Sequence, residues 1–216
     1  MSMATPTEPE GAARTGDAAT RRMPRAERRE QIARTAATVF VRGGFDGTSM
    51  DDVAREAGVT RLIVYRIFES KVDLYRAVLD LVIDDLVASF AAPLEESRGG
   101  TDHQRSIAGV LLGVARRHPD AFRLLWRHAA HEPAFRELAA LFKVAVTDYA
   151  IALFEPTMHD ETIRRWAAES VVSHLYESVC LWLDDGDPGR DAEFLALLTE
   201  GIRAMVIRWI ELVGRP

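Results

Sequence analysis

Residues 43–71 read GGFDGTSMDDVAREAGVTRLIVYRIFESK and contain two short helical patterns separated by a glycine. The first pattern is an apolar helix face with the spacing i, i+3, i+4 and i+7, made by Met50, Val53, Ala54 and Ala57. Thr48, with Asp51 three residues later, predicts a capping box at the start of this helix. Gly58 can adopt the left-handed backbone conformation that ends a helix, and Thr60 can cap a second helix. The sequence therefore predicts two helices joined by three or four residues.

Three residues of this segment have the spacing of a DNA-reading helix-turn-helix. Ala54 is small enough to let the second helix cross closely, Gly58 makes the turn, and Val64 fills the wedge between the helices. The inward face of the second helix is shared by Val64, Ile67 and Phe68. The opposite face carries Leu62, Tyr65 and Arg66, and we expect it to enter the major groove of DNA.

Helical patterns continue on both sides of this segment. Upstream, an apolar stripe beginning near Arg25 predicts a helix that ends at Gly43-Gly44. Residues 1–22 have no periodicity and predict a disordered tail. Downstream, turns and prolines separate predicted helices at about 71–92, 101–117, 120–130, 134–154, 160–184 and 190–213. Because the sequence has neither strand-like alternation nor internal repeats, the predicted fold is all-α with about nine helices.

The composition excludes several classes of protein. The chain has 216 residues, of which 48% are hydrophobic and 28% charged, so wholesale disorder and a disulfide scaffold are both excluded. Its single cysteine, Cys180, allows no intrachain disulfide and no all-cysteine metal site. The N-terminal residues lack the apolar core of a signal peptide, and no uncharged stretch approaches the roughly 20 residues of a membrane span. These features predict a cytoplasmic protein with no membrane partner.

Charge is distributed unevenly along the chain. The formal net charge is −6, but residues 20–76 carry +4 and residues 77–216 carry −8. This asymmetry indicates a polyanion-binding end attached to an acidic body. A chance cluster of basic residues on a solvated helix face would give the same values, so charge alone leaves both interpretations open.

From about Arg25 to Leu79 the sequence resembles the tetracycline-repressor (TetR) family of bacterial transcription regulators. The resemblance rests on GGFDGTSMDDVAREAGV, on Tyr65 and Phe68, and on the Ser70-Lys71 pair that opens the next helix. What it implies is a homodimer built mainly from the last two helices, together with double-stranded DNA as a partner.

The resemblance also implies a division into domains and a set of DNA contacts. Residues 23–70 would form a three-helix helix-turn-helix DNA-binding domain, and residues 71–216 a helical C-terminal ligand-binding and dimerisation domain. DNA phosphates would be contacted by Thr48, Tyr65 and Lys71, with Ser49 beside the first. Bases would be read by Thr60, Arg61, Leu62 and Ile63, with Arg66 at the edge. The chemistry agrees, because helix N-termini, tyrosine hydroxyls and lysine ammonium groups all bind phosphate.

Purely structural roles for the three phosphate-contacting residues stay open. Thr48 is a helix cap in either case, Tyr65 could be half-buried, and Lys71 could be a solvated charge in a first helical turn.

The sequence departs from the family where bases are read. Many members have Gly and Thr where this chain has Leu62 and Ile63, and Tyr where it has Ile67. Leu62 is a candidate for contact with thymine methyl groups, the apolar feature of the major groove. Ile63 could instead pack sideways onto the first helix. The operator sequence is therefore less predictable than DNA binding itself.

The last two predicted helices are apolar around most of their circumference. Such wide coverage indicates burial on more than one side, against the same chain and against a second copy, although packing within a monomer would also produce it. The residues expected at the interface between copies are Leu175, Trp182, Leu198, Met205 and Trp209. A twofold dimer would hold its reading helices about one DNA turn apart and favour a palindromic operator.

Aromatic and titratable residues of the body predict a pocket for a small, largely apolar effector. The candidates are Phe90, Trp126, Phe142, Tyr149, Trp166 and His174. The same residues could form ordinary core, and His174 could be satisfied by a backbone carbonyl.

Nothing in the sequence favours catalysis, a metal or a cofactor. His128 and Glu132 have metal-ligand spacing with His131, but Pro133 follows at once and interrupts the helix. Cys180 lies six residues from the nearest upstream histidine, on a well-separated helix face, so the two form no dyad. The chain also has no glycine-rich phosphate loop and no GxSxG motif.

The preferred interpretation is a sequence-specific transcriptional regulator, a repressor in preference to an activator, that is released from its operator by a small-molecule ligand. The helix that begins at Lys71 leaves the DNA-binding domain and enters the body, so it is the expected lever between the two sites. The alternative is a helical ligand- or partner-binding module with a vestigial DNA-reading head.

Overall fold

The computed structural model describes residues 23–91 and 106–213. All regular structure within these two ranges is helical. Nine α-helices are present there, with the bounds α1 Arg25–Gly43, α2 Met50–Glu56, α3 Arg61–Ile67, α4 Lys71–Ala91, α5 Ile107–Arg117, α6 Pro119–Arg123, α7 Arg136–Phe154, α8 Glu161–Asp185 and α9 Asp191–Val213. The predicted all-α architecture is confirmed, while the tail predicted for residues 1–22 lies outside the described part of the chain.

The first three helices form a small head on the N-terminal half of α4. Helix α1 ends at Gly43 because Gly44 adopts a positive φ of 69°, which halts the helix where the sequence predicted. Helix α2 packs on α1, α3 packs on α2, and α4 packs along α1. The inner face of α1 supplies Ile32, Ala33, Ala36, Ala37 and Phe40, all buried. Tyr75 of α4 packs edge-on against Phe40, so the apolar core continues from the head into the body.

The segment predicted as one helix from 120 to 130 is divided into three pieces. Pro119 begins α6, which gives way to a wider π-helical turn at Leu124–His128 and a tight 3₁₀ turn at Ala129–His131. Helix α7 then begins at Arg136, two residues later than predicted, because the chain first reverses around Pro133. The predicted helix is therefore present as one continuous helical run, but only residues 119–123 of it are α-helical.

The body is a bundle in which α8 packs against α5, α7 and α9. Two aromatic pairs hold the antiparallel pair of α8 and α9 at opposite ends. Trp166 packs against Trp209 at a tilt of 51° with ring centroids 4.8 Å apart, and Trp182 stacks on Phe194 at 4.6 Å. Among the described helices, none is both long and apolar enough to span a membrane.

Candidate nucleic-acid interface and ligand cavity

The helix-turn-helix has the geometry that its sequence predicts. Gly58 has a φ of 63°, and the following residue, Val59, donates its N–H to the carbonyl of Ala54 over 3.0 Å. Ala54 and Val64 are buried where α2 and α3 cross. The steric roles assigned to the alanine, the glycine and the valine are therefore confirmed.

The helix α2 is capped one residue later than predicted. Ser49 is the N-cap: its hydroxyl accepts from the N–H of Asp52 over 3.2 Å, and the Asp52 carboxylate accepts from the Ser49 N–H over 3.0 Å. These bonds with Ser49 lower the pKa of Asp52. Thr48 is instead buried, and its hydroxyl donates to the carbonyl of Gly44 over 2.8 Å. The predicted capping box of Thr48 and Asp51 is therefore wrong, and the Thr48 hydroxyl is already committed within the chain.

The outward face of α3 is exposed and carries both apolar and basic side chains. Leu62 is 67% exposed and Tyr65 is 44% exposed, while Arg66 and Thr60 are exposed beside them. Ile63 is half-buried against the core, which agrees with the alternative of sideways packing. With Arg61, which is exposed as well, this face is open to a partner at five of the positions predicted to meet DNA.

Arg61 is held in place at the start of α3 by two neighbours. Its guanidinium forms an ion pair with Asp51 of α2 at 3.0 Å and lies over the Tyr65 ring, 5.0 Å from the centroid. A guanidinium restrained in this way loses less freedom on binding a base or a phosphate than a free side chain does.

Two cationic side chains stabilise the head by binding its backbone carbonyls. The ammonium of Lys71 donates to the carbonyl of Phe45 over 2.7 Å and lies 4.4 Å from the centre of the Phe45 ring. Arg29 donates to the carbonyl of Ile67 over 3.1 Å and stacks on Phe68. The role of Arg29 was not predicted, because its partner is 38 residues away and no local pattern marks such a contact.

A cavity of about 730 Å³ lies in the body between α4, α5, α7, α8 and α9. Its wall includes three of the six residues predicted for a pocket, namely Phe90, Phe142 and Tyr149. Leu86 and Val87 of α4 also line it, as does Leu175 of α8. A pocket in the body is thus present, and α4 forms part of its wall.

The other three predicted pocket residues lie elsewhere. Trp126 stacks on Tyr176 with centroids 4.4 Å apart, so the indole contacts a residue of the wall without lining the cavity itself. Trp166 is 54% exposed, and His174 is exposed on the outer face of α8. The prediction failed for Trp166 and His174 because α8 is apolar around so much of its circumference that sequence alone did not fix its rotation.

Sequence reasoning missed most of the cavity wall, including three of its polar residues. Tyr176 is buried, and neither its hydroxyl nor the buried hydroxyl of Thr199 has a hydrogen-bond partner among the described residues. Arg203 lies one turn beyond Thr199 on α9 and also lines the cavity. The sequence could have suggested that Thr199 and Arg203 act together, because residues four apart on a helix share a face.

A polar cluster joins the head to the body next to this cavity. Asp85 of α4 binds the guanidinium of Arg117 at 2.8 Å and the Nε2 of His118 at 3.0 Å. On the other side of the same junction, the hydroxyl of Thr38 in α1 donates to Asp120 over 2.6 Å. Burial, and next the charge of Arg34, lower the pKa of His118. Arg34 of α1 donates to the carbonyl of Arg117 over 3.2 Å, so the cluster links α1 to α4 and α5, and Leu86, the residue after Asp85, lines the cavity.

The predicted dimer residues divide into two groups. Leu175 and Leu198 are only 8% and 7% exposed, so they are covered within one chain and offer no surface to a partner. Trp182 is also engaged within the chain, because it stacks on the ring of Phe194 and donates its indole N–H to Asp191 over 2.6 Å. Met205 and Trp209 are half-buried. Other apolar side chains on α8 and α9 are exposed, namely Trp166, Leu181, Leu197, Ile207 and Leu212.

The described residues hold no cluster of three histidine, cysteine or acidic side chains that could bind a metal. Cys180 is buried, and burial raises the pKa of its thiol to about 11. A thiol in that state is a poor nucleophile at neutral pH. His174 points to solvent from the same helix, as expected for residues on separate faces.

Comparison with known proteins places the chain in a family. Residues 32–78 match the family described as bacterial regulatory proteins, tetR family. Over 185 residues the chain is 30% identical to the HTH-type transcriptional activator FasR of Mycolicibacterium smegmatis, an alignment that covers 83% of this chain and 81% of that protein. The chain belongs to the TetR family. This TetR-family protein is a DNA-binding transcriptional regulator and not an enzyme, as its sequence predicts.

Solved structures of TetR-family proteins share its fold. A TetR-like transcriptional regulator from Rhodococcus sp. RHA1 superposes with a TM-score of 0.68 at 22% identity, covering 90% of this chain and 100% of that one. A tetR-family regulator from Streptomyces coelicolor superposes with a TM-score of 0.60 at 24% identity, covering 89% and 87% of the two chains. The helix-turn-helix head on a helical body is therefore an arrangement common to these TetR-family proteins.

Proposed function

We propose that this protein is a homodimeric repressor that binds a palindromic operator through α3 and leaves it when an apolar ligand occupies the cavity. The observation that carries the proposal is the course of α4. Its first residue, Lys71, braces the head, and Leu86, Val87 and Phe90 near its other end line the cavity. A ligand that favours one position of α4 thereby favours one position of the head.

The proposed DNA contacts follow the exposure of the head. Leu62, Arg61 and Thr60 face outward at the start of α3, where a recognition helix reads base edges. Tyr65, Arg66 and Ser49 are exposed around them and would contact phosphates or the edge of the site. Because the Thr48 hydroxyl and the Lys71 ammonium bind backbone carbonyls, we assign these two residues to holding the turn before α2.

The proposed dimer uses the exposed apolar side of α8 and α9. Leu197 is 69% exposed, and Leu212 lies four turns further along nearly the same face of α9. Trp166 and Leu181 provide matching apolar surface on α8. Large apolar side chains grouped on two adjacent helices indicate a surface that a second copy covers.

The experiment that tests the proposal is selection of DNA fragments from the source genome by the purified protein at two salt concentrations. We expect a palindromic motif that survives at the higher salt, because base contacts add to the salt-sensitive phosphate contacts. If a folded dimer enriches no sequence at either salt, the proposal is wrong and a ligand- or partner-binding module is the better description.

A reporter gene placed behind the selected operator then determines the direction of regulation. Repression predicts that deleting the regulator raises expression when the operator overlaps the promoter. The relative FasR is named an activator, and a fall in expression on deletion would assign that direction to this protein instead.

A further inference from the structure

The wall of the cavity is almost wholly apolar. Apart from Ser106, Tyr149, Tyr176, Thr199 and Arg203, every residue that lines it has a hydrocarbon side chain. Because a water molecule takes up about 30 Å³ of the liquid, a cavity of about 730 Å³ has room for roughly two dozen non-hydrogen atoms. The occupant therefore has a long or bulky hydrocarbon part that leaves water when it binds.

Two of the five polar residues on the wall, including the only charged one among the described wall residues, lie on α9. Thr199 and Arg203 occupy successive turns of this helix and both line the cavity. The Thr199 hydroxyl is buried without a hydrogen-bond partner among the described residues, and burying an unpaired hydroxyl is unfavourable. An acceptor on the ligand would satisfy it.

Arg203 supplies a charge at the same place. Among the described residues on the wall it is the only charged one, and its own ion pair is loose, with a guanidinium nitrogen 3.7 Å from a carboxylate oxygen of Glu200. Both side chains of that pair are more than half exposed, so the pair is weak and readily exchanged. A guanidinium binds a planar carboxylate through two parallel hydrogen bonds.

From these contacts we infer that the effector is a long-chain carboxylate, with its hydrocarbon chain in the cavity and its carboxylate between Thr199 and Arg203. This inference rests on the proposed function, because it names the ligand class of the cavity that α4 borders. The unpaired hydroxyl of Tyr176 lies in the same wall and marks a second place where an acceptor on a substituted chain would be tolerated.

The test measures binding of tetradecanoate and of its methyl ester to the full chain by equilibrium dialysis, below the concentrations at which either probe aggregates. We expect the carboxylate to bind more tightly than the ester. Arg203→Gln should weaken carboxylate binding roughly tenfold or more and change ester binding little, because it removes the charge-assisted hydrogen bonds to the carboxylate. Arg208→Gln is the matched control, because Arg208 is also an exposed arginine of α9, pairs with Glu211 and does not line the cavity.

Two further variants separate the cavity from the surface. Thr199→Val keeps the shape of the wall and removes the unpaired hydroxyl, so it should weaken carboxylate binding without loss of folded protein. Ala145→Trp places an indole at an exposed position of the cavity mouth and should abolish binding of both probes.

Equal affinity for acid and ester, or equal effects of the two arginine substitutions, would overturn the inference. Retention of the selected DNA fragments by ligand-free protein is measured in parallel. If DNA binding is normal and tetradecanoate does not bind, the ligand class is wrong and the proposed regulator stands. If ligand-free protein binds no DNA, the proposed function is the part that fails.

Discussion

Leu62 is the exposed residue of α3 whose chemistry differs most from that of its neighbours. It is surrounded by arginines and Tyr65 on the outward face, and burying an aliphatic side chain against DNA is favourable only where the groove is itself apolar. The thymine methyl group is that feature, so Leu62 should select for thymine at one position of each half-site.

We therefore predict that Leu62→Ala relaxes the preference for thymine at one symmetric pair of positions and leaves the others unchanged. A good base contact contributes about 1–3 kcal/mol of discrimination. Selection from a random duplex library, with wild type and variant compared at one salt concentration, measures the change. An equal loss of affinity for every sequence would show that Leu62 contributes to binding without distinguishing one base from another.

Substitution of Tyr65 should instead lower the affinity for DNA without changing the base preference. Its hydroxyl lies 3.4 Å from the Arg61 guanidinium and faces outward, in a position to donate to a phosphate oxygen. Tyr65→Phe keeps the ring under the Arg61 guanidinium and removes the hydroxyl, which loses the expected bond to phosphate and the long 3.4 Å bond from Arg61, so it should weaken binding by about 1 kcal/mol for all sequences. Fluorescence anisotropy with the operator and with a scrambled duplex checks this. Weakening confined to the operator would assign the hydroxyl to a base.

At the scale of the helix, Ser49 gives α2 its start. Ser49→Ala should lower the free energy of unfolding by about 1 kcal/mol, the usual effect of losing an N-cap. The matched control is Thr60→Ala, because Thr60 occupies the N-cap position of α3 without making a side-chain capping bond. Urea denaturation of both variants checks the difference. Equal losses would mean that the bonds between Ser49 and Asp52 do not support α2.

The hydrogen bonds between Ser49 and Asp52 also predict that the free energy of unfolding depends on pH in the acid range. The pKa of Asp52 is lowered in the folded protein, so its contribution to stability is present above its ordinary value of 3.8 and is lost as the pH falls through the folded value. The stability difference between wild type and Ser49→Ala should therefore shrink below about pH 4.

The junction between head and body predicts a second pH dependence. The pKa of His118 is lowered by burial, so the folded state disfavours its protonation, whereas the unfolded chain protonates near the ordinary value of 6.5. Stability should consequently fall as the pH drops below 6.5 and level off below the folded pKa. His118→Gln should reduce the slope of the melting temperature between pH 7.5 and 5.5. The control His174→Gln removes an exposed histidine and should not change it.

Over the whole molecule, the sequence predicted best what depends on near neighbours. The crossing of α2 and α3 was predicted because Ala54, Gly58 and Val64 lie within eleven residues of one another, and each needs only a particular size or backbone conformation. The capping box was misplaced by one residue because Thr48-Asp51 and Ser49-Asp52 have the same spacing. Only the inward turn of Thr48 towards the Gly44 carbonyl distinguishes them.

The body was harder to predict because its contacts join distant residues. His174 and Trp166 were expected in the pocket, yet both lie on the outer side of α8, whose buried residues are spread too widely to fix the rotation of the helix. The brace from Lys71 to Phe45 spans 26 residues and has no local pattern. Helix positions were thus predictable from periodicity, whereas the side that each helix turns to its neighbours depended on packing.

Assembly of two copies is the property of the whole molecule that the operator requires, and Leu197 tests it. Leu197→Glu places a charge on the exposed apolar face of α9, and burying that charge unpaired against a second copy is strongly unfavourable. We predict a monomer by sedimentation equilibrium, together with loss of binding to the palindrome, because each half-site then binds independently. Val144→Glu, an equally drastic change at an exposed valine of α7, should leave the dimer intact. If the Leu197 variant remains a dimer with normal affinity for the palindrome, another face of the molecule forms the interface.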